Sequence, residues 1–339
     1  MGRRRKITMK DVAERAGVSV MTVSATLGGN YPTVYVSDAT RARVREVARE
    51  MDYRPNAIAR SLRQQVTNVI GAYLSIHDGH RFLNPADPFY AVLLGGLHTA
   101  CAAHKKDILL HAFYPDRPVE DIYTEIVDGR IDGLIVFARP GDPLVDKLVE
   151  TELPVVAVGE VIQGIPSVGP DNIAGSRLLV EYLIRKGHHH IIYRSSLLNL
   201  TSLKERRAAF LEAAAAHNLE VEEWRAEEFT NPDDIAIASW LDRARPHMPT
   251  AAVCWNDQAA YDLLRICHRR GVRVPDDLAI CGFDGLVIPN RMPERLTTID
   301  AHWSQVAQAS VDLLTARMKG ETVVSATVLP VSLIIGDTA

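Results

Sequence analysis

Apolar residues in the first part of the chain recur at three- and four-residue spacing, and from about residue 66 they gather instead into short unbroken runs. In the first part, Val12, Ala13 and Ala16 share one face of a predicted helix, which Thr8 opens with Asp11 in a capping-box arrangement. Gly17 supplies a tight turn, and Ser19 is placed to cap a second helix through Met21, Val23 and Leu27. Ser37 with Thr40 opens a third helix, whose Val44, Val47, Ala48 and Met51 repeat at helical spacing. Helices joined by a glycine turn in this way form a helix–turn–helix, whose second helix presents its N-terminal residues to base edges of a duplex. Beyond residue 66 the readable strands are 68–76, 107–113, 132–138 and 154–159, then 190–195, 220–224, 250–255 and 278–284. Segments 90–104, 173–186, 203–217, 232–244 and 257–270 read as helices. Near-continuous apolar strands alternating with helices predict parallel sheets covered on both faces. Two such runs, joined near 160–172, predict two Rossmann-like subdomains. No GxGxxG follows a strand, so a dinucleotide enzyme is not indicated.

Charge divides the chain at the same place. Residues 1–65 carry 13 Lys/Arg against 6 Asp/Glu and the remainder 25 against 36, so the formal net charge of −4 hides a basic module on an acidic body. A basic module neutralises phosphates and releases counterions, giving binding that weakens steeply with salt. Arg3, Arg4, Arg5 and Lys6 alone fit a solvated surface equally well; joined to the helix pattern they favour nucleic acid. With 339 residues, 47% of them apolar, roughly three compact units fit the length. No stretch approaches the ~20 apolar residues of a membrane helix, and no apolar signal segment follows the basic start. Cys101, Cys254, Cys267 and Cys281 are scattered without CxxC or metal-ligand spacing, so a reduced, cytoplasmic setting is expected. No nucleophile–base pair or paired carboxylates stand out, and no enzymatic activity, cofactor or resident metal is expected.

The segments DVAERAGVS, TVS, TRARV and above all YRPNAIARSL at 53–62 resemble the DNA-binding headpiece of the lactose-repressor (LacI/GalR-type) family of bacterial transcription regulators. The similarity continues through DPFYAVLLGGL, RIDGLIVF, PVVAVG, SVGPDNIAGSRLLVEYLIRKGHHHI, CWNDQAAYDLLR, RGVRVPDDLAICGFD and RLTTID, nearly the whole chain. It implies an N-terminal all-α helix–turn–helix headpiece with a hinge helix (1–63, hinge about 55–63). The body, 64–339, would be an α/β unit like that of periplasmic sugar-binding proteins, with two Rossmann-like parallel-sheet subdomains. The N-subdomain would take about 66–165 and 296–325 and the C-subdomain about 166–295 and 326–339, with later crossovers near Arg295–Ile299 and 323–328. The resemblance further implies a homodimer on a pseudo-palindromic operator of double-stranded DNA, acting as a repressor under a small polar, sugar-like effector. A corepressor-dependent regulator, an activator, and a solute-binding module without regulatory role are the alternatives. The chain stops shortly after LPVSLIIG without leucine heptads, so a coiled-coil tetramer is not expected.

By this resemblance Thr8, Ser19, Thr22 and Ser24 position phosphates, while Val20, Met21 and Ala25 hold the specificity positions of the recognition helix. Ala25 departs from the polar or basic residue usual there. Hydrogen-bonded base readout is therefore expected to be reduced, leaving thymine-methyl contacts. Asn56, Ala59, Arg60 and Leu62 fall in the hinge, a segment too short to be a stable helix alone. It is expected to fold as two copies pack in the minor groove, with Leu62 wedged between base pairs and Ala59 close by. Packing within a linker is the alternative for Leu62, disfavoured by the neighbouring Arg60, Arg63 and Gln64. The loop at 28–38, carrying Asn30 and Tyr31, is longer than the family usually has.

In the body, ligands of open α/β sheets bind beyond the carboxyl ends of strands. There the sequence places Phe89 and Tyr90, read as a loop after Pro88; Phe229 beyond 220–224; Trp255, before Asn256 and Asp257; and Asp284, closing GFD. Aromatic residues in such places serve packing as well as ligand stacking. Arg206 stands where the family's R-x-x-G-F motif puts its effector-binding arginine; here the motif reads RRAAF, and surface ion pairing is the alternative role. Asp284 matches a polar ligand contact of the family but is followed by Gly285 rather than a second aspartate. Asn256 and Asp284 can bracket a polyol, although a purine would stack on the same aromatic residues. His77, Asp78 and His80, in a segment at 75–90 longer than is usual, and the run His188–His190 imitate metal ligands. They fit a solvated loop and a helix end entering a strand better.

Overall fold

A computed structural model describes residues 7–27, 35–74, 88–111, 117–196, 198–226, 248–286 and 293–339, and among the described residues of the first unit of the chain, Met1–Thr67, there are four helices. Arg3–Lys6, Asn30, Tyr31, His77, Asp78, His80, Phe229 and the expected helix at 232–244 lie outside the described residues. Helix α1 (Met9–Ala16) begins with the capping box: Thr8 Oγ1 accepts the Asp11 N–H at 3.3 Å, and the Asp11 carboxylate accepts the Thr8 N–H at 2.8 Å. It ends at Gly17, whose φ of +65° is a left-handed conformation that glycine takes at no steric cost. Helix α2 (Val20–Leu27) and helix α3 (Asp38–Glu50) follow, the latter capped by Ser37. Val12, Val23 and Val44, one from each helix, are fully buried in a shared core with Ala13, Ala16 and Ala48. Each such valine contributes about 1.5–3 kcal/mol relative to exposure. Helix α4 (Ala57–Gln64) follows Pro55.

The second unit, Asn68–Ala339, contains two six-stranded sheets. The first has the order β11-β5-β4-β3-β1-β2 and is parallel throughout. Its strands are β1 (Val69–Leu74), β2 (Asp107–Leu110), β3 (Gly133–Phe137), β4 (Val155–Val158), β5 (Ser167–Pro170) and β11 (Ala326–Leu329). The second sheet has the order β12-β10-β9-β8-β6-β7. It contains β6 (His190–Ser196), β7 (Glu220–Ala226), β8 (Ala251–Cys254), β9 (Ala279–Asp284), β10 (Thr297–Asp300) and β12 (Ser332–Ile334), of which only β12 runs antiparallel to its neighbour.

Side chains alternate across each sheet, so the central strands feed two cores. In the first sheet Ile135 and Phe137 face α5 (Pro88–Ala103) and α11 (Trp303–Met318), which pack on each other. Leu134 and Val136 face α6 (Val119–Ile126) and α7 (Pro143–Val149). In the second sheet Tyr193 and Val253 share a core with α8 (Asn172–Arg185) and α9 (Thr201–Ala216), while Ile192 and Ala252 share one with α10 (Asp257–Arg269).

Sheet membership moves the three expected subdomain boundaries toward the C-terminus. β5 pairs with β4 and β11, so the first crossover follows Pro170 rather than residue 165. β10, expected at the start of a returning N-subdomain segment, pairs with β9 in the second sheet, and the chain returns only at α11. β11, assigned by the sequence to the C-subdomain, joins the first sheet. Strands of four residues carry no local signal of partner; the choice is made by whichever sheet edge has unpaired backbone groups. His188 and His190 find ordinary partners, Nδ1 of the former 2.9 Å from Thr250 Oγ1 and Nε2 of the latter 3.0 Å from Glu222 Oε1.

Candidate DNA-facing surface and effector cleft

The start of α2 is held by Ser19, whose Oγ accepts the Thr22 N–H at 3.1 Å and lies 2.9 Å from Thr22 Oγ1. With its first turn fixed, the helix presents Val20 and Met21 outward, 45% and 62% exposed. Ala25 is half-buried and Thr8 is exposed. Ser24, expected to position a phosphate, is buried at 6% exposure. The reason is that α2, only eight residues long, packs against both α1 and α3, so Val23, Ser24 and Thr26 are all buried. In α4, Leu62 is 78% exposed, Asn56 just before it and Arg60 within it are also exposed, and Ala59 is half-buried. An exposed leucine flanked by arginine and glutamine is a side chain with apolar area still to bury.

In the body, Phe89, Tyr90, Arg206, Trp255, Asn256 and Asp284 all line one cleft of about 530 Å³. Phe229 is outside the described residues. Phe89 and Tyr90 do not sit in a loop, as the sequence suggested, but in the first turn of α5, where Pro88 occupies the helix start that tolerates a missing N–H. Phe89 meets Trp303 edge-on at 4.8 Å between ring centroids and Phe137 at 5.3 Å, so these rings form an aromatic wall. Gly159, at φ +79°, is required behind that wall, because a Cβ there would stand 3.1 Å from Phe137 and 3.3 Å from Trp303.

A second set of lining residues is polar and held by hydrogen bonds within the protein. Arg206, 4% exposed, donates from Nε to Asn172 Oδ1 at 2.8 Å, from one terminal nitrogen to the Trp255 carbonyl at 2.9 Å and from the other to Asp284 Oδ1 at 3.2 Å. Its guanidinium lies over the Phe283 ring at 3.7 Å. A guanidinium carries five N–H donors, so this clamp leaves donors over for a ligand. Asp284 holds a φ of +125°, a strained conformation for a non-glycine residue, at the end of β9. Gly285 follows at φ +73°, where a Cβ would collide with Asp300 Cα at 2.7 Å; the second aspartate seen in the family cannot be accommodated in this backbone. Asn256 spends its Oδ1 on the Ala259 N–H at 2.7 Å, capping α10 and leaving its amide N–H groups as donors. Behind it Asp257 is fully buried, accepting from the Leu286 N–H at 2.6 Å and Thr298 Oγ1 at 2.5 Å. Burial first, and the nearby Asp284 charge second, push its carboxyl up from the ordinary range.

Glu160 and Trp303 are among the lining residues that had not been foreseen. Glu160 follows β4 yet caps α9: its carboxylate accepts the Thr201 N–H at 2.7 Å and the Ser202 N–H at 3.3 Å, and also the Ser202 hydroxyl. The helix has no side-chain cap of its own at Leu200, so a residue following the first sheet neutralises the exposed N–H groups of a helix packed on the second. Burial raises the Glu160 carboxyl, opposed by these hydrogen bonds and the Arg206 charge. Its position just past an apolar strand was a usable signal; nothing local marks Trp303.

Residues 8–56 match the lacI family of bacterial regulatory proteins, and residues 180–339 match the periplasmic binding protein-like domain. The HTH-type transcriptional repressor PurR of Aliivibrio fischeri (strain MJ11) is 29% identical over 320 residues, 92% of each chain. The lac repressor dimer solved with operator and the anti-inducer ONPF superposes with a TM-score of 0.83 at 25% identity, covering 98% of this chain and 99% of that one. The transcriptional regulator CelR in complex with cellobiose gives a TM-score of 0.69 at 26% identity, over 98% and 100% of the two chains. With the lacI family's DNA-binding segment at 8–56 and a periplasmic binding protein-like domain at 180–339, the protein carries the two parts of a lacI-family bacterial transcription regulator.

Proposed function

We propose that this protein is a repressor whose hold on a pseudo-palindromic operator is set by a small, polar, sugar-like effector bound in the cleft. The observation that carries the reading is the pairing of an aromatic wall with the Arg206–Asp284–Asn256 wall around a single cavity. Aromatic faces stack on the apolar face of a sugar ring, while a planar guanidinium, a carboxylate and an amide exchange hydrogen bonds with its hydroxyls. The solved relatives support this by name, one a repressor dimer with operator and the other a complex with cellobiose. Two copies of the chain would place α2 of each in successive major grooves and two α4 segments together in the minor groove, Leu62 acting as the wedge. The first sheet with α5 and α11 forms the N-subdomain in this scheme, and the second sheet with α8, α9 and α10 the C-subdomain. Effector binding changes the closure of these two lobes and with it the pairing of the α4 segments. By linkage, operator DNA alters effector affinity by the same factor.

The test is a thermal-shift screen of sugars, polyols and nucleosides on the full-length protein, followed by fluorescence anisotropy with a duplex selected from a random pool. A compound that both raises the melting temperature and changes affinity for the selected duplex supports the reading. A pool from which no sequence is enriched sinks it.

A further inference from the structure

The side chains of α2 read Val-Met-Thr-Val-Ser-Ala-Thr-Leu, with no guanidinium, ammonium, carboxamide or carboxylate among them. These are the groups that read guanine, adenine and cytosine through bidentate or accepting hydrogen bonds. The hydroxyls do not replace them. Thr26 Oγ1 donates to the Thr22 carbonyl at 2.8 Å, Ser24 is buried, and Thr22 Oγ1 lies against the capping Ser19 Oγ at 2.9 Å. What faces outward at the first turn, where a recognition helix meets base edges, is the isopropyl group of Val20 and the thioether of Met21. The side chain of Met21 is unbranched and adapts to irregular apolar surfaces.

The apolar feature of the major groove is the 5-methyl group of thymine. Cytosine methylated at carbon 5 presents a methyl group at the same ring position, differing from thymine in the groups that hydrogen-bond at its edge. We propose that α2 reads the 5-methyl group of pyrimidines and, having no polar side chain free to sense the neighbouring edge atoms, accepts thymine and 5-methylcytosine alike. This rests on the DNA-reading role given to α2 above. It adds a chemical modification of the operator as a second input to affinity, separate from the effector.

The test takes a duplex selected by the full-length protein and varies each half-site pyrimidine in turn through four base pairs: T·A, U·A, 5-methylcytosine·G and C·G. At contacted positions T and 5-methylcytosine should bind equally, with U and C each weaker by about 4-fold, and by about 15-fold when both half-sites are changed. Uracil binding as well as thymine throughout both half-sites overturns the proposal while leaving the operator itself intact. So does 5-methylcytosine binding as weakly as cytosine. Failure to select any duplex would instead remove the DNA-reading role on which it stands, and the proposal with it.

Discussion

Met21 and Leu62 stand 62% and 78% exposed in the headpiece, whereas Arg206 and Asp284 in the cleft are 4% and 6% exposed. The headpiece side chains are apolar and unburied, and in the proposed reading their burial free energy is released only when DNA covers them. Arg206 is locked by Asn172, the Trp255 carbonyl and Asp284, so the polar wall is held in place by its own network. One surface leaves apolar area open, and the other is held by its own hydrogen bonds. It follows that trimming the first should alter binding alone, and trimming the second should alter folding as well.

The largest expected effect is on the preformed side. Arg206→Ala leaves Asp284 buried without its cation, and breaking a buried pair in this way costs roughly 3–5 kcal/mol. Urea unfolding should show that loss together with a vanished effector response; an unchanged midpoint would mean the pair is not part of the folded framework. Leu62→Ala tests the other side. It should weaken specific operator binding by roughly 30-fold per hinge, about 2 kcal/mol of leucine burial, while unfolding and effector affinity stay as in the parent protein. A drop in stability instead would place Leu62 inside the protein fold and erase the contrast.

The smallest effect concerns Glu160, the preformed cap of α9. Burial raises its carboxyl above the ordinary 4.5, so the folded chain binds that proton more tightly than the unfolded chain. This contribution is full at low pH and is lost as pH rises through the native value. Glu160→Gln keeps a carbonyl acceptor for the Thr201 and Ser202 N–H groups but cannot ionise. Its melting temperature should therefore fall less steeply than the parent's as pH is raised above 4.5. Parallel curves for the two proteins would sink this assignment.

Much of the headpiece was legible because its determinants are neighbours in sequence. The Thr8–Asp11 box, the Gly17 turn and the Ser19 and Ser37 caps each involve residues within three or four positions. The burial of Ser24 was not legible because burial of a short helix depends on how many partners it packs against, which periodicity does not say. In the cleft, six of the seven effector residues named from sequence line the cavity, since strand ends and the RRAAF segment fall at recognisable places. Phe89 and Tyr90 were read as loop because the apolar run of α5 has no polar face to mark a helix start. Trp303 escaped notice because α11 begins directly after a crossover.

Periodicity, caps and the switch from helical spacing to unbroken apolar runs were enough to determine a basic helical headpiece and an acidic body of alternating strands and helices, because those signals act over a single turn or strand. Tertiary structure decided which sheet received β5, β10 and β11, and it also brought Arg206 to Asp284 across 78 residues and Glu160 to Thr201 across 41. Contacts at such separations depend on the order in which strands fill a sheet edge, a property of the whole fold that no local stretch of side chains encodes.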